Sequence, residues 1–228
     1  MREIDAIIFD KDGTLFDFAA SWGGWAVRVL DHIESVAPQS VDAVEKAFGF
    51  DRRSGLFNRS SVVIAGSASD VAAVAEPFLP AGFDLISLMN RFAEDMVPVA
   101  VPGLNRALEE LGRRRILGVV TNDSEAPARA HLAAHDISKH FEFVAGYDSG
   151  YGAKPGPGQL LGFCAATGAR AEKSAMVGDS RHDLEAGRAA GMTTIGVLTG
   201  LALAEELADL ADVVLPDISY ISDWLASG

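Results

Sequence analysis

Four short stretches carry side chains whose types and spacing could do chemistry. Asp10-Lys11-Asp12-Gly13-Thr14 follows the apolar run 4–9, and Thr121-Asn122 follows the apolar run 116–120. Lys154 stands in the Gly/Pro-rich "GAKPGPG", and Asp179 and Asp183 in "GDSRHDLEAGRAAGM". Carboxylates at the end of an apolar strand are costly to bury without a partner. If three of them meet in one cleft they repel one another, and a hard cation with oxygen ligands removes that repulsion. Mg²⁺ fits such a place, because it binds through one or two carboxylates, waters and a phosphate. A lysine in the same cleft neutralises a phosphoryl oxygen and the nearby carboxylates together. "GAKPGPG" lacks the Gly-Lys-Ser/Thr order of a phosphate-cradling P-loop. A single aspartate after a strand is equally a helix cap or turn former. The set, with its lysine, points to phosphate and metal.

The elements that must position these residues follow from the apolar pattern. Short buried runs recur at 4–9, 116–120, 143–145, 175–177, 194–197 and 213–215, with helical periodicity between them at 104–111, 125–134, 159–167 and 183–190. Strand and helix alternating at this spacing specify an α/β fold with a parallel, Rossmann-like sheet and covering helices. The alternation breaks after the first strand. Residues 17–97 hold amphipathic patterns at 22–36, 41–48, 69–78 and 83–95 and no clear buried strand. A structureless loop of that length is implausible in a compact domain, so the stretch reads as an inserted helical cap. The expected division is therefore a core of 1–16 and 98–228 with a cap of 17–97. Pro98 and Pro102 mark the return, and Gly103 opens the next helix. In such sheets ligands bind beyond the carboxyl ends of the strands, where Asp10, Thr121 and Asp179 all fall.

With these motifs in order, the chain resembles the haloacid dehalogenase (HAD) superfamily in its phosphatase branch. The likeness rests on Asp10-Lys11-Asp12-Gly13-Thr14-Leu15, Thr121-Asn122, Lys154-Pro155-Gly156-Pro157 and the Gly178–Met192 stretch. It also accounts for the cap, which that family often inserts after the first motif. What the resemblance implies is an Mg²⁺-dependent phosphatase acting on a small phosphomonoester. Asp10 would be the nucleophile that forms an aspartyl-phosphate, and Asp12 the general acid and then base. Asp10, the Asp12 carbonyl and Asp179 would hold Mg²⁺. Thr121, the Asn122 N–H and Lys154 would hold the phosphoryl oxygens, with Asp183 orienting Lys154. Asp12 favours phosphate over carbon–halogen chemistry, because a halide leaves without a proton. The nearest subgroup is phosphoglycolate phosphatase-like, which makes phosphoglycolate the substrate to consider. The rivals are a sugar phosphomutase of the same architecture and a phosphate-binding protein without turnover.

Other signals set boundaries. A formal net charge of −13 over 228 residues opposes nucleic-acid binding, which needs basic surface. The expected partner is a small phosphorylated metabolite, with the chain a monomer or homodimer, no membrane contact and a cytoplasmic location. The start lacks the apolar core of a secretory signal. Cys164, the single cysteine, excludes a disulfide framework and reads as a buried, inert thiol. His131 and His135 are four apart and read as a solvated helix face. Trp22 and Trp25 read as core or cap packing rather than substrate stacking. Lys11 could add positive charge near the substrate, on the face opposite its neighbours, and Asp123 is a candidate helix cap. Arg52, Arg53 and Arg59 lie in a glycine-bounded cap loop that could reach a substrate anion.

Overall fold

The computed structural model describes residues 3–64 and 66–227. Six strands form one parallel sheet: β1 (Ala6–Phe9), β6 (Ile116–Val120), β7 (Phe143–Ala145), β8 (Ser174–Gly178), β9 (Thr193–Val197) and β10 (Val213–Leu215), in the order β10-β9-β8-β1-β6-β7. All four residues of β1 are buried. It is a near-continuous apolar run because helices cover both faces of the sheet. The chain builds outward from β1 through β6 and β7, then crosses back to β8 on the other side. That reversal leaves a crevice at the carboxyl end of β1.

Register decides what meets in the crevice. Phe9 of β1 pairs with Val119 on one side and Val177 on the other. Asp10, Thr121 and Asp179 therefore leave the sheet at nearly one level. The helices around it are α5 (Leu104–Gly112), α6 (Glu125–Ala134), α7 (Gly158–Thr167), α8 (Arg181–Ala189), α9 (Ala204–Leu207) and α10 (Ile221–Ser227). The sequence pattern did not single out the last two. One core cluster includes Ile7, Phe9, Leu108, Val119 and Val177, and another, on the opposite face, includes Ile8, Phe163 and Met176. Cys164 is only partly buried there, a departure from the expected buried thiol.

The insertion folds as four helices, α1 (Phe18–Val36), α2 (Val41–Phe48), α3 (Ala68–Ala75) and α4 (Leu85–Glu94). They close on a separate apolar core that includes Trp25, Leu30, Phe48, Val71 and Met89. Asp17 caps α1 by accepting from the Ala20 N–H, and Ser67 and Asp70 make a capping box on α3. The insertion is not purely helical. A two-stranded ribbon, β3 (Phe50–Asp51) with β4 (Leu56–Phe57), occupies the arginine loop. A second ribbon pairs β2 (Phe16–Asp17) with β5 (Val99–Ala100), so the two chain crossings run antiparallel side by side. Two-residue strands carry too little periodicity to be read from sequence. No described helix is long and apolar enough to cross a membrane.

Candidate active site

Lys154 is the hub. Its Nζ donates to Asp10 Oδ1 at 2.5 Å, to Asp183 Oδ1 at 2.6 Å and to the Val120 carbonyl at 3.3 Å. The backbone under it is fixed by Asn122, whose side chain accepts from the Lys154 N–H at 2.9 Å and donates to the Lys154 carbonyl at 3.0 Å. The Lys154–Pro155 peptide is cis. Gln159 donates from Nε2 to the Thr121 carbonyl at 2.9 Å, joining α7 to the end of β6. Asp183 is held from behind: its second oxygen accepts from the Ser180 N–H and Oγ in the capping box of α8. A Cβ on Gly178 would lie 2.3 Å from the Asp183 Cβ, so only glycine lets α8 start this close to β8.

Asp10, Asp179 and Asp183 are all buried, and each offers an oxygen within 4.8 Å of the others. Asp179 sits in a cradle of two glycines. A Cβ on Gly13 would fall 2.4 Å from its carboxylate, and one on Gly200 would fall 1.6 Å from Oδ2. Gly13 also takes a positive φ of 82°. Its carbonyl accepts from Thr199 Oγ1 at 2.6 Å, tying the first motif to the loop after β9. Burial, with Asp183 and Asp12 adding repulsion against the pull of Lys154, pushes the Asp10 carboxyl up to about 7. Burial, and then Asp183 and Asp10, push Asp179 well above the usual carboxylate range. Burial opposes the Lys154 charge, yet Asp10 and Asp183 outweigh it and raise the lysine. One ammonium thus faces three carboxylates. The donor set, all oxygen and over-negative, fits a hard divalent cation.

Asp12 lies across the same cavity but is engaged elsewhere. Its Oδ1 accepts from Trp22 Nε1 at 2.8 Å, and its Oδ2 is 2.5 Å from Lys11 Nζ. Burial would raise this carboxyl, but Lys11 leads the opposing effects and holds it low. Lys11 does not line the cavity. It is fully buried beneath Asp12, where it also meets Asp123 and His131. Asp123 is not a helix cap; Ser124 precedes α6, and Asp123 Oδ1 accepts from the Ser124 N–H at 2.8 Å. His131 and His135 are not a solvated face either. His131 is fully buried with Nε2 2.7 Å from the Ala93 carbonyl, and His135 Nε2 is 2.7 Å from the Pro98 carbonyl. Helix α6 is covered on that side by α4, which a local pattern cannot show.

The cavity, about 690 Å³ including its open mouth, lies between the strand ends and the inserted helices. Its floor holds Asp10, Thr121, Lys154 and Asp179; its far wall is apolar, with Phe18, Trp22, Trp25, Ile64, Val71 and Met89. Both tryptophans thus belong to the helical core and to the cavity wall. The loop arginines do not line it. Arg52 pairs with Asp31 and Glu34, and Arg59 with Glu206 across to the sheet domain. Residues that sequence reading passed over are Gly200, Thr199, Gln159 and Ser180. Of these only Ser180 carried a local signal, a Ser three residues before Asp183.

A strand-end aspartate clamped by a loop lysine, beside acidic groups that could hold a cation, is an arrangement able to serve phosphoryl transfer. The family model for the haloacid dehalogenase-like hydrolases matches residues 4–191. The chain belongs to that family. Among similar proteins, the phosphoglycolate phosphatase of Shigella boydii serotype 4 (strain Sb227) is 36% identical, over 97% of this chain and 90% of its own. The phosphoglycolate phosphatase of Chromobacterium violaceum is 28% identical over 100% of this chain and 99% of its own. A solved structure from Haemophilus somnus, described as a predicted phosphoglycolate phosphatase, superposes with a TM-score of 0.75 at 21% identity, covering 99% of each chain. The HAD-like chain is a phosphatase, a hydrolase of phosphoric monoesters. Phosphatases of this family use a divalent cation, and the buried aspartate cluster can accept one.

Proposed function

We propose that this HAD-like phosphatase is Mg²⁺-dependent and works through an aspartyl-phosphate on Asp10, with 1–16 and 98–228 as catalytic core and 17–97 as cap. The observation that carries the reading is the Lys154 ammonium bridging Asp10 and Asp183 at the floor of the cavity. Lys154 aims one Asp10 oxygen and, with Thr121 and the Asn122 N–H, receives the phosphoryl oxygens. Asp10, Asp179 and the Asp12 carbonyl would hold Mg²⁺, which when bound offsets charge on the phosphoryl group.

An Asp10 oxygen attacks phosphorus as the ester P–O bond breaks, and Asp12, which takes up a solvent proton when the phosphate dianion enters beside it, gives that proton to the departing alkoxide. Water then attacks the phosphorus of the aspartyl-phosphate. The Asp12 carboxylate takes a proton from that water, the Asp10–phosphorus bond breaks, and phosphate leaves with Asp10 restored.

The relatives' names bring phosphoglycolate forward as the substrate. Its carboxylate would find Asn90, Ser180 and His182 in the cavity lining, not an arginine. The apolar cap wall favours a second reading, an ester of an uncharged, largely apolar alcohol. A hydroxyl-rich sugar would lose water against that wall with few side chains to replace it, which counts against the mutase. Phosphate release across phosphoglycolate, phenyl phosphate, sugar phosphates and nucleotides, with Mg²⁺ or with chelator, tests the proposal. Release that needs Mg²⁺ and vanishes in Asp10→Asn is expected. Release that survives chelation or survives Asp10→Asn refutes it, and the best ester separates the two substrate readings.

A further inference from the structure

The position between the two aspartates of the first motif holds a lysine that the reaction as described does not use. Lys11 is fully buried. A buried ammonium is stable only when its three N–H groups find partners. Here Nζ is ion-paired with Asp12 Oδ2 at 2.5 Å and Asp123 Oδ2 at 3.2 Å and hydrogen-bonded to His131 Nδ1 at 3.0 Å. Trp22 closes the remaining side with its ring centroid 5.4 Å from Nζ. The tautomer of His131 follows from its neighbours. The Ala93 carbonyl, 2.7 Å from Nε2, can only accept, so Nε2 carries the proton and Nδ1 is left to accept from Lys11. Burial, and then the Lys11 charge, keep His131 neutral by moving it down to about 4.

The result is a chain of contacts from α4 to the reacting end of β1: Ala93 carbonyl, His131, Lys11, Asp12. Trp22 Nε1, on α1, grips the other oxygen of Asp12 at 2.8 Å. Asp12 is therefore held at both oxygens, one by each arm, and each arm is anchored on an inserted helix. A free aspartate side chain would sample several rotamers. Locking it matters because proton transfer needs the donor within hydrogen-bond reach of the leaving oxygen.

We propose that Lys11, backed by His131, is a positioning residue for Asp12, fixing the carboxyl group that protonates the leaving alkoxide. The inference rests on reading Asp12 as the acid. Lys11 touches neither cavity nor substrate and acts only through Asp12.

The test is the dependence of kcat/KM on the leaving group, since kcat/KM covers only the steps through departure of the alcohol. An alkyl phosphate needs its leaving oxygen protonated; p-nitrophenyl phosphate, with a weakly basic leaving group, does not. In Lys11→Met, kcat/KM for the alkyl ester should fall by about 10²-fold or more, and that for the nitrophenyl ester by under about 10-fold. His131→Phe keeps both carboxylates paired with Lys11, so it remains a test should Lys11→Met not fold. It should show the same selective loss, smaller in size. Equal losses on the two esters, or none, in the variants that fold would overturn the proposal. Asp12→Asn is the reference: selective loss there without selective loss in the Lys11 and His131 variants refutes the positioning role alone. Absence of selective loss in Asp12→Asn refutes the acid reading and the inference built on it.

Discussion

Gly200→Ala perturbs the geometry of the candidate cation site directly. The added Cβ would stand 1.6 Å from Asp179 Oδ2, where ordinary contact begins at 3.4 Å. The carboxylate must give way by about 1.8 Å, since overlap that deep cannot be absorbed by close-packed neighbours. Gly13 crowds the same carboxylate, since a Cβ there would fall 2.4 Å from it. Gly200 itself lies outside the left-handed region, so alanine imposes no backbone strain there. Displacing a ligand or its support by this much lowers metal affinity by about 10- to 100-fold, or roughly 1.4 to 2.7 kcal/mol. The assay is phosphate release against Mg²⁺ concentration, with a thermal melt in chelator beside it. The half-saturating Mg²⁺ concentration should rise by that factor, and the metal-free melt reads separately the stability that the same overlap costs, about 1–3 kcal/mol. Gly24→Ala, whose Cβ would meet nothing within 4 Å, is the control. An unchanged Mg²⁺ requirement in Gly200→Ala would show that Asp179 does not hold the cation.

Further outcomes follow from the same contacts. Asp10 is held up at about 7 and Asp179 higher than usual, so between about pH 4 and 7 the metal-free fold binds protons that the unfolded chain has lost. Those two groups make metal-free stability fall as pH rises through that window, and Mg²⁺, which needs them ionised, should raise the melting temperature more at pH 7.5 than at pH 5. A pH-independent Mg²⁺ increment would contradict this. His131 acts with the opposite sign: at about 4 in the fold against 6.5 unfolded, it adds stability as pH rises between those values. His131→Phe should flatten that part of the metal-free stability curve, measured by denaturant titration. Lys154→Met leaves Asp10 and Asp183 buried without their cation and should cost about 3–5 kcal/mol in urea unfolding without metal. In Gly118→Ala the new Cβ would lie 2.6 Å from the Phe163 ring, and overpacking should destabilise by about 1–3 kcal/mol with Mg²⁺ half-saturation unchanged.

What the sequence determined by itself was the order of elements and which polar residues stand at their ends. Asp10, Thr121 and Asp179 stood out because each follows an apolar run, Lys154 because it lies in a Gly/Pro loop, and Asp183 through its motif spacing from Asp179, signals that are local. The α/β alternation was legible for the same reason, since burial on both faces of a parallel sheet writes itself as short continuous apolar strands. The four inserted helices were legible from their periodicity. Tertiary structure alone decided what those elements press against. His131 and His135 look like a polar helix face until α4 and the Pro98 carbonyl meet them, and Lys11 reads as charge near the substrate until Asp123 and His131 close round it below Asp12. The arginines of the cap loop look like substrate ligands until Asp31, Glu34 and Glu206 take Arg52 and Arg59. Gly200 gives no local sign of its place against Asp179, 21 residues away in sequence, because absence of a side chain is meaningful only beside a neighbour. Local periodicity records whether a position is buried on its own element, whereas partners from distant segments are fixed by strand order, register and the seating of the insertion.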